Sequence, residues 1–261
     1  MIAARAARAV IGTSILLATR APLLAAQTQT KVPWAVGENL EYAVRLAGIP
    51  SGTGTMQVTG IDTIRSHRAW RLHFNIKGSA LLGVYHVDDT YDSWMDVESL
   101  FSLRFEQNLL EGNKKTVRKF DIFPGRGIFH QEGKEEKKSV PEPLDDASFF
   151  FFARTLPLDP GATYTLEKYF DPKANPVTIK VIRRDTIDTP AGRFPAIVLQ
   201  PSFHTNGLFS EDGHAQIWLS DDAHRILLRM DTHFAFIKLG LTLKKVTYGT
   251  VPPGSSTDEH R

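Results

Sequence analysis

Apolar and polar positions alternate with a period of two over most of this chain. In "NLEYAVRLAGIPSGTGTMQV", Leu40, Tyr42, Val44 and Leu46 share one face, and Glu41, Ala43 and Arg45 the other. That is the signature of a half-buried strand. "GIPSG" (Gly48 to Gly52) reads as a turn, because Gly admits positive φ and Pro fixes a bend. "RAWRLHFNIKG" alternates again, with Trp70, Leu72, Phe74 and Ile76 opposite Arg71, His73 and Asn75. "LFSLRFEQNLLEGNKKTVRKFDIFPG" predicts two strands joined around Glu111 to Asn113, and a charged tip, Lys134 to Lys138, falls between short strands. Strands resume in "GATYTLEKYFD", "PVTIKVIRRDTIDTPAG", "FPAIVLQPSF", "HAQIWLS", "RILLRMDTHFAFI" and "LTLKKVTYG".

The pattern breaks once. In "PLDDASFFFFARTLPL" a continuous apolar run follows Asp145 and Asp146. An Asp at this place caps a helix by accepting backbone N–H bonds. Asp146 to Thr155 therefore predicts one helix, buried on most sides by four consecutive Phe; a fully buried strand is the competing reading. Many strands at short spacing, one helix and no fixed repeat predict an all-β, β-rich single domain over 27–250: a curved antiparallel sheet, barrel or half-barrel around one buried helix.

The ends differ from this middle. Residues 1–26 have a basic start (Arg5, Arg8), a short apolar run from Ala9 to Ala18 and small residues up to Ala26, the pattern of a cleaved secretory signal. Cleavage is expected after Ala26 or Ala25, and Arg20 interrupts the pattern. The apolar run is too short to span a bilayer, and no later segment reads as a transmembrane helix. The tail from Val251, 251–261, is Pro, Gly, Ser and charge and reads as disordered. The expected location is periplasmic or secreted.

Composition removes several function classes. Net charge is only +2, and no basic block marks a nucleic-acid partner. Without Cys there are no disulfides, thiol nucleophile, thiolate metal site or lipidated N-terminal Cys. There is no Gly-x-Ser-x-Gly, phosphate loop, dinucleotide fingerprint or His-Glu-x-x-His. No cofactor and no catalytic residue is expected.

Two segments carry a resemblance. "VGENLEYAVRLAGIPSGTGTMQV" holds Gly37, Glu38, Leu40, Tyr42, Gly48, Ile49 and Gly52 in the pattern GE.L.Y.V...GI.AG. "GLFSEDGHAQIWLSDDAHRILLRM" holds Ile217, Trp218, Leu219, Ser220, Asp221, Asp222, Arg225 and Arg229 in the pattern G.A.IWLSDD..R.P.R. The chain thus resembles, from about Val36 to Tyr248, the exported bacterial family catalogued as domain of unknown function 3108. Ser51 replaces the usual small residue of the first pattern, and Leu227 the Pro of the second. The resemblance implies export and a curved β-rich fold like that of envelope lipoprotein carriers; it supplies no reaction. Gly48, Gly52, Trp218, Asp221, Asp222 and Arg225 are expected to act structurally, with "SDDAHR" as a hairpin turn.

The remaining polar clusters offer weaker candidates for chemistry. His86, Asp88 and Asp92 share a strand face and form a weak metal candidate, against which stands an ordinary solvated strand face. His204, His214 and His224 form a second if neighbouring hairpins meet. Paired Asp at 88/89, 145/146 and 221/222 lack the facing geometry of acid–base pairs. The 16 Phe and 4 Trp carry more weight. Trp70, Phe74, Phe101, Phe105, Phe149, Phe150, Phe152, Trp218 and Phe234, with Trp94 and Phe236, are expected inside the curved sheet, either as packed core or around a cavity for an apolar ligand. The function expected is a non-catalytic periplasmic carrier of an apolar or lipid-like envelope molecule. The alternatives are an envelope protein that docks a protein partner and, last, a metal-dependent hydrolase.

Overall fold

The computed structural model describes residues 31–80, 85–202, 215–234 and 237–250. The expected signal segment and tail lie outside the described residues. Fourteen strands are present among those described. The first eight are β1 (Asn39–Leu46), β2 (Ile49–Ile64), β3 (His67–Ala80), β4 (Tyr85–Asp96), β5 (Ser102–Glu111), β6 (Lys114–Phe123), β7 (Ile128–Gln131) and β8 (Glu136–Lys138). The helix α1 (Asp146–Ala153) follows, then β9 (Thr163–Leu166), β10 (Val177–Thr189), β11 (Gly192–Ser202), β12 (Gln216–Ser220), β13 (Leu227–Phe234) and β14 (Ile237–Thr247).

All fourteen strands join one antiparallel sheet, with β1 between β2 and β14 and with β8 and β9 as edges. The sheet is open. Register shifts leave an extra residue in β2, β5, β10, β13 and β14, and these bulges bend long strands. The chain leaves one edge after β8 and reaches the other at β9 by way of α1. The segments flanking the two edges meet: Leu144 bridges Tyr169 in parallel, and Ser139 Oγ donates to the Phe170 carbonyl at 2.8 Å.

The tight turns follow from local chemistry. Ala47 (φ 50) and Gly48 (φ 83) form a two-residue connection with positive φ at both positions, which suits the twist of a hairpin. Pro50 and Gly52, expected in the turn, belong to β2 instead.

The helix forms where Asp145 stops the chain. Asp145 Oδ1 accepts from the N–H groups of Ala147 (3.0 Å) and Ser148 (2.9 Å), and Ser148 Oγ accepts from the Asp145 N–H at 2.8 Å. This capping box satisfies donors that a buried helix end would otherwise leave unpaired. Ser93 on β4 donates to Asp145 Oδ2 at 2.6 Å, so the cap also pins α1 to the sheet. Being apolar on all sides, α1 is stable only when surrounded. Phe149, Phe150 and Phe151 are buried, and Phe151 packs edge-on against Trp34 with centroids 5.2 Å apart. The core is the face of the sheet that carries α1: Leu40, Tyr42, Met56, Trp70, Leu72, Phe74, Met95 and Phe105 from β1 to β5, and Ile217, Leu219, Met230 and Leu241 from β12 to β14.

Candidate functional site

The helix does not cover the whole face. Beyond it, β5, β6, β7 and β8 line an open groove of about 330 Å³ together with 169–174. Strand register builds the floor. Phe105 pairs with Phe120, Ile122 with Phe129, and Phe129 with Lys137. Phe105 and Phe120 stack at 6.0 Å, and Phe170 closes on Phe120 and Phe129 at 5.1 and 5.0 Å. Phe170 is held by the wall behind it: the Asn175 side chain bonds both the N–H and the carbonyl of Tyr169, and Asp171 caps the short 3-10 turn Pro172–Ala174.

The rim is polar. Gln107, Arg118, Gln131, Lys137, Asp171 and Lys173 reach it. Behind it runs a chain of hydrogen bonds. Arg118 Nη1 donates to Gln107 Oε1 at 3.2 Å, Gln107 Nε2 to Asp146 Oδ2 at 3.0 Å, and the Tyr169 hydroxyl to Asp146 Oδ1 at 2.9 Å. Both Asp146 oxygens are engaged, so this carboxylate orients two side chains that line the groove. Burial pushes its carboxyl up to about 6, the charge of Asp145 adds to the rise, and the bonds from Tyr169 and Gln107 and the charge of Arg118 oppose it. Burial likewise raises Asp145 and, with Asp146 beside it, holds the Tyr169 hydroxyl well above its usual range.

The aromatic candidates divide by place. Phe105 lines the groove. Trp70, Phe74, Phe149 and Phe150 are packed core, with Phe74 5.8 Å from Phe150. Phe101 and Phe152 are partly exposed beneath the Lys168 ammonium, 5.8 and 5.2 Å away. Trp218, expected inside, takes the face opposite Ile217 and Leu219. The Arg229 guanidinium lies over its ring at 5.0 Å, and its indole N–H meets Asp185 at 3.4 Å. Trp94 is placed in the same way, under Arg71 and Arg104 with its N–H on Asp62. An indole turned outward stays buried by taking a cationic roof and an acidic acceptor. The side chain of Phe234, and Phe236, lie outside the described residues.

His86, Asp88 and Asp92 do not converge on a metal site. Asp88 pairs with Lys77 at 3.2 Å and accepts from Asn75, Asp92 bonds His73 at 2.9 Å, and His86 is exposed. His204 and His214 lie outside the described residues. Among the described residues no group of three or more potential ligands could hold a metal ion.

"SDDAHR" is a turn between β12 and β13. Asp222 Oδ1 accepts from Ser220 Oγ (2.8 Å) and from the N–H groups of His224 (2.9 Å) and Arg225 (3.0 Å), and Asp221 accepts from Arg184 at 2.8 Å. The turn also grips the chain leaving α1: Arg225 donates to the Leu156 carbonyl. There the two sequence patterns meet. Arg154 Nη1 and Nη2 bind Glu38 Oε1 and Oε2 at 2.7 and 2.8 Å, and Nη2 also donates to the carbonyls of Pro33 and His224 at 2.9 Å each. Arg154 and Glu38 side chains are 1% and 2% exposed.

Sequence reading missed Gln107, Arg118, Phe120, Phe129, Lys137, Tyr169, Phe170 and Lys173. One signal was present. In "TVRKFDIF", Arg118 shares its parity with Phe120 and Ile122, which places a charge on an apolar face.

An open antiparallel sheet bent around a capped helix, with an aromatic groove on its inner face, defines a β-barrel-like class of protein. The chain belongs to DUF3108, described as a protein family of unknown function, whose model matches residues 41–243. Its fold is similar to that of a β-barrel-like protein of domain of unknown function DUF1849 from Brucella abortus, with a TM-score of 0.53, 10% identity, and coverage of 84% of this chain and 100% of that one. A "putative lipoprotein" from Parabacteroides distasonis aligns at a TM-score of 0.30 and 11% identity, over 83% of this chain and 98% of that one. No curated protein matches the chain in sequence. Among the described residues no helix is long and apolar enough to cross a membrane.

Proposed function

We propose that the protein is an exported, non-catalytic binding protein that holds an amphipathic envelope molecule in the groove between β5–β8 and 169–174. The observation that carries this reading is the groove's construction: four buried Phe lie beneath it, and polar side chains, Arg118, Lys137 and Lys173 among them, line it as well. Ligand sites combine these two features, and a volume of about 330 Å³ falls at the small end of their range. The basic, apolar and small-residue order of residues 1–26 supports export.

Native mass spectrometry of the protein taken from the periplasm, followed by denaturing extraction, tests both parts. The expected result is one co-purifying amphipathic molecule per chain, on a polypeptide beginning at Gln27 or Ala26. An apo mass together with no uptake of fluorescent fatty-acid probes contradicts the binding reading. An intact N-terminus contradicts export by a cleaved signal.

A further inference from the structure

We infer that the groove recognises an anionic head group, a carboxylate or phosphate monoester, on a ligand with a single apolar chain. The inference rests on reading the groove as a ligand site and adds the sign of its charge, its orientation and its size class. Three cations, Arg118, Lys137 and Lys173, line the groove against one carboxylate, Asp171. Asp171 Oδ1 accepts the Lys173 backbone N–H at 3.1 Å, and its single negative charge leaves the lining cations in excess.

Several arginines elsewhere are matched with acids, Arg126 with Glu136, Arg184 with Asp221 and Arg229 with Asp231, whereas Arg45 and Arg225 bond backbone carbonyls; what sets the groove apart is that three cations line one recess. Among the described residues none of the three groove cations has a carboxylate within ion-pair distance. Arg118 instead bonds the neutral Gln107 carbonyl through one nitrogen, with Asp146 one residue further back. That bond uses one nitrogen and leaves the remaining guanidinium N–H groups for a planar or tetrahedral oxyanion. The excess of positive charge along the groove also draws anions toward it.

The geometry sets the orientation. Arg118 and Phe120 are two residues apart on the same face of β6, and Lys137 stands across from Phe129. An anion held at the rim therefore leads its chain onto Phe120, Phe129 and Phe170. The volume suits one chain and excludes a two-chain phospholipid held whole.

Calorimetric titration of the full mature chain with four dodecyl probes tests this: laurate, monododecyl phosphate, uncharged monolaurin and dodecyltrimethylammonium. Laurate or dodecyl phosphate should bind about tenfold or more tighter than monolaurin, as expected for charge-assisted hydrogen bonds, and the advantage should shrink with added salt. Which anion binds better separates a fatty-acid-like head from a phosphate ester. Arg118 and Lys137 lie at the open rim, so R118Q/K137Q should keep the melting temperature while reducing anion affinity to that of monolaurin. Equal binding of monolaurin and the anions, or an anion preference that survives R118Q/K137Q, overturns the head-group inference and leaves the groove as a site. Failure of all four probes to bind overturns both.

Discussion

Gly48 and Gly52 stand four residues apart in one pattern and must be glycine for different reasons. Gly48 has φ +83 with open space where a Cβ would stand, whereas a Cβ on Gly52 would fall 1.9 Å from the Lys77 carbonyl oxygen on β3. Gly48→Ala should therefore cost only the left-handed strain of an L-residue, about 1–2 kcal/mol. Gly52→Ala must push two backbones apart and should abolish the cooperative transition or the folded yield. Parallel thermal melts of the two variants check this, and equal effects would refute the close-approach argument. Asp146 makes a second residue-scale prediction. Its carboxyl is raised to about 6 from 3.8, so the folded state holds the proton more tightly than the unfolded one. Asp146 thus favours folding fully below about pH 4, and that contribution is lost as pH rises to about 6 and stays lost above. Asp146→Asn can keep the bonds to Gln107 and Tyr169. Its stability gain over the native chain should be near zero at pH 4 and reach roughly 1–3 kcal/mol at pH 7.5. Urea unfolding at both pH values measures it, and a gain that does not grow with pH removes the burial argument.

At the scale of elements, helix and sheet are tied at both ends of α1 by buried polar groups. The cap Asp145 reaches Ser93 on β4, and Arg154, just past the last turn, reaches Glu38 beside β1 and the carbonyl of His224 in the β12–β13 turn. Arg154 is four residues from Phe150 in sequence yet connects segments 116 and 70 residues away. Charges this deep cost several kcal/mol to desolvate, so removing one partner strands the other. Glu38→Ala and Arg154→Ala should each destabilise by about 3–5 kcal/mol, and the double variant by clearly less than the sum. A double-mutant cycle in urea decides this: additive losses would mean that the two side chains act separately. Glu38 was legible as part of a sequence pattern. Arg154 was not, because it follows a Phe run in an otherwise ordinary helix exit, and only the return of β1 and of the β12–β13 turn to the same spot makes it a hub.

At the scale of the whole molecule, the sheet leaves room where its helix ends. An eight-residue helix packs against β3 and β4 but leaves the inner face of β5 to β8 without helical cover. The groove and the two open edges are both results of that mismatch in size. Among the described residues, an apolar gap beside Val44, Leu46, Ile76 and Leu239 amounts to about 20 Å³, room for little more than a water molecule. Binding is expected at the groove of β5 to β8, where the calorimetric titration and the native mass measurement look for it.

The first turn fell at Ala47–Gly48 and not at Gly48 to Gly52, and Glu136–Lys138 of the charged tip forms β8, whereas the existence of most strands and of the capped helix was decided by the sequence alone. Each depends on local physics: side chains alternate across a strand, Ala47–Gly48 and Gly112–Asn113 suit tight turns, and an Asp before an apolar run accepts helix N–H groups. The faces of Trp94 and Trp218 were also legible from parity, although their size drew them into the expected interior. Three matters were decided only by the tertiary structure. These are the open sheet with β1 at its middle, the meeting of Glu38, Arg154 and the "SDDAHR" turn, and the joining of Arg118, Lys137 and Lys173 over Phe120, Phe129 and Phe170. They depend on which distant strands become neighbours, and the burial energy that selects those neighbours belongs to the whole core and to no local stretch of chain.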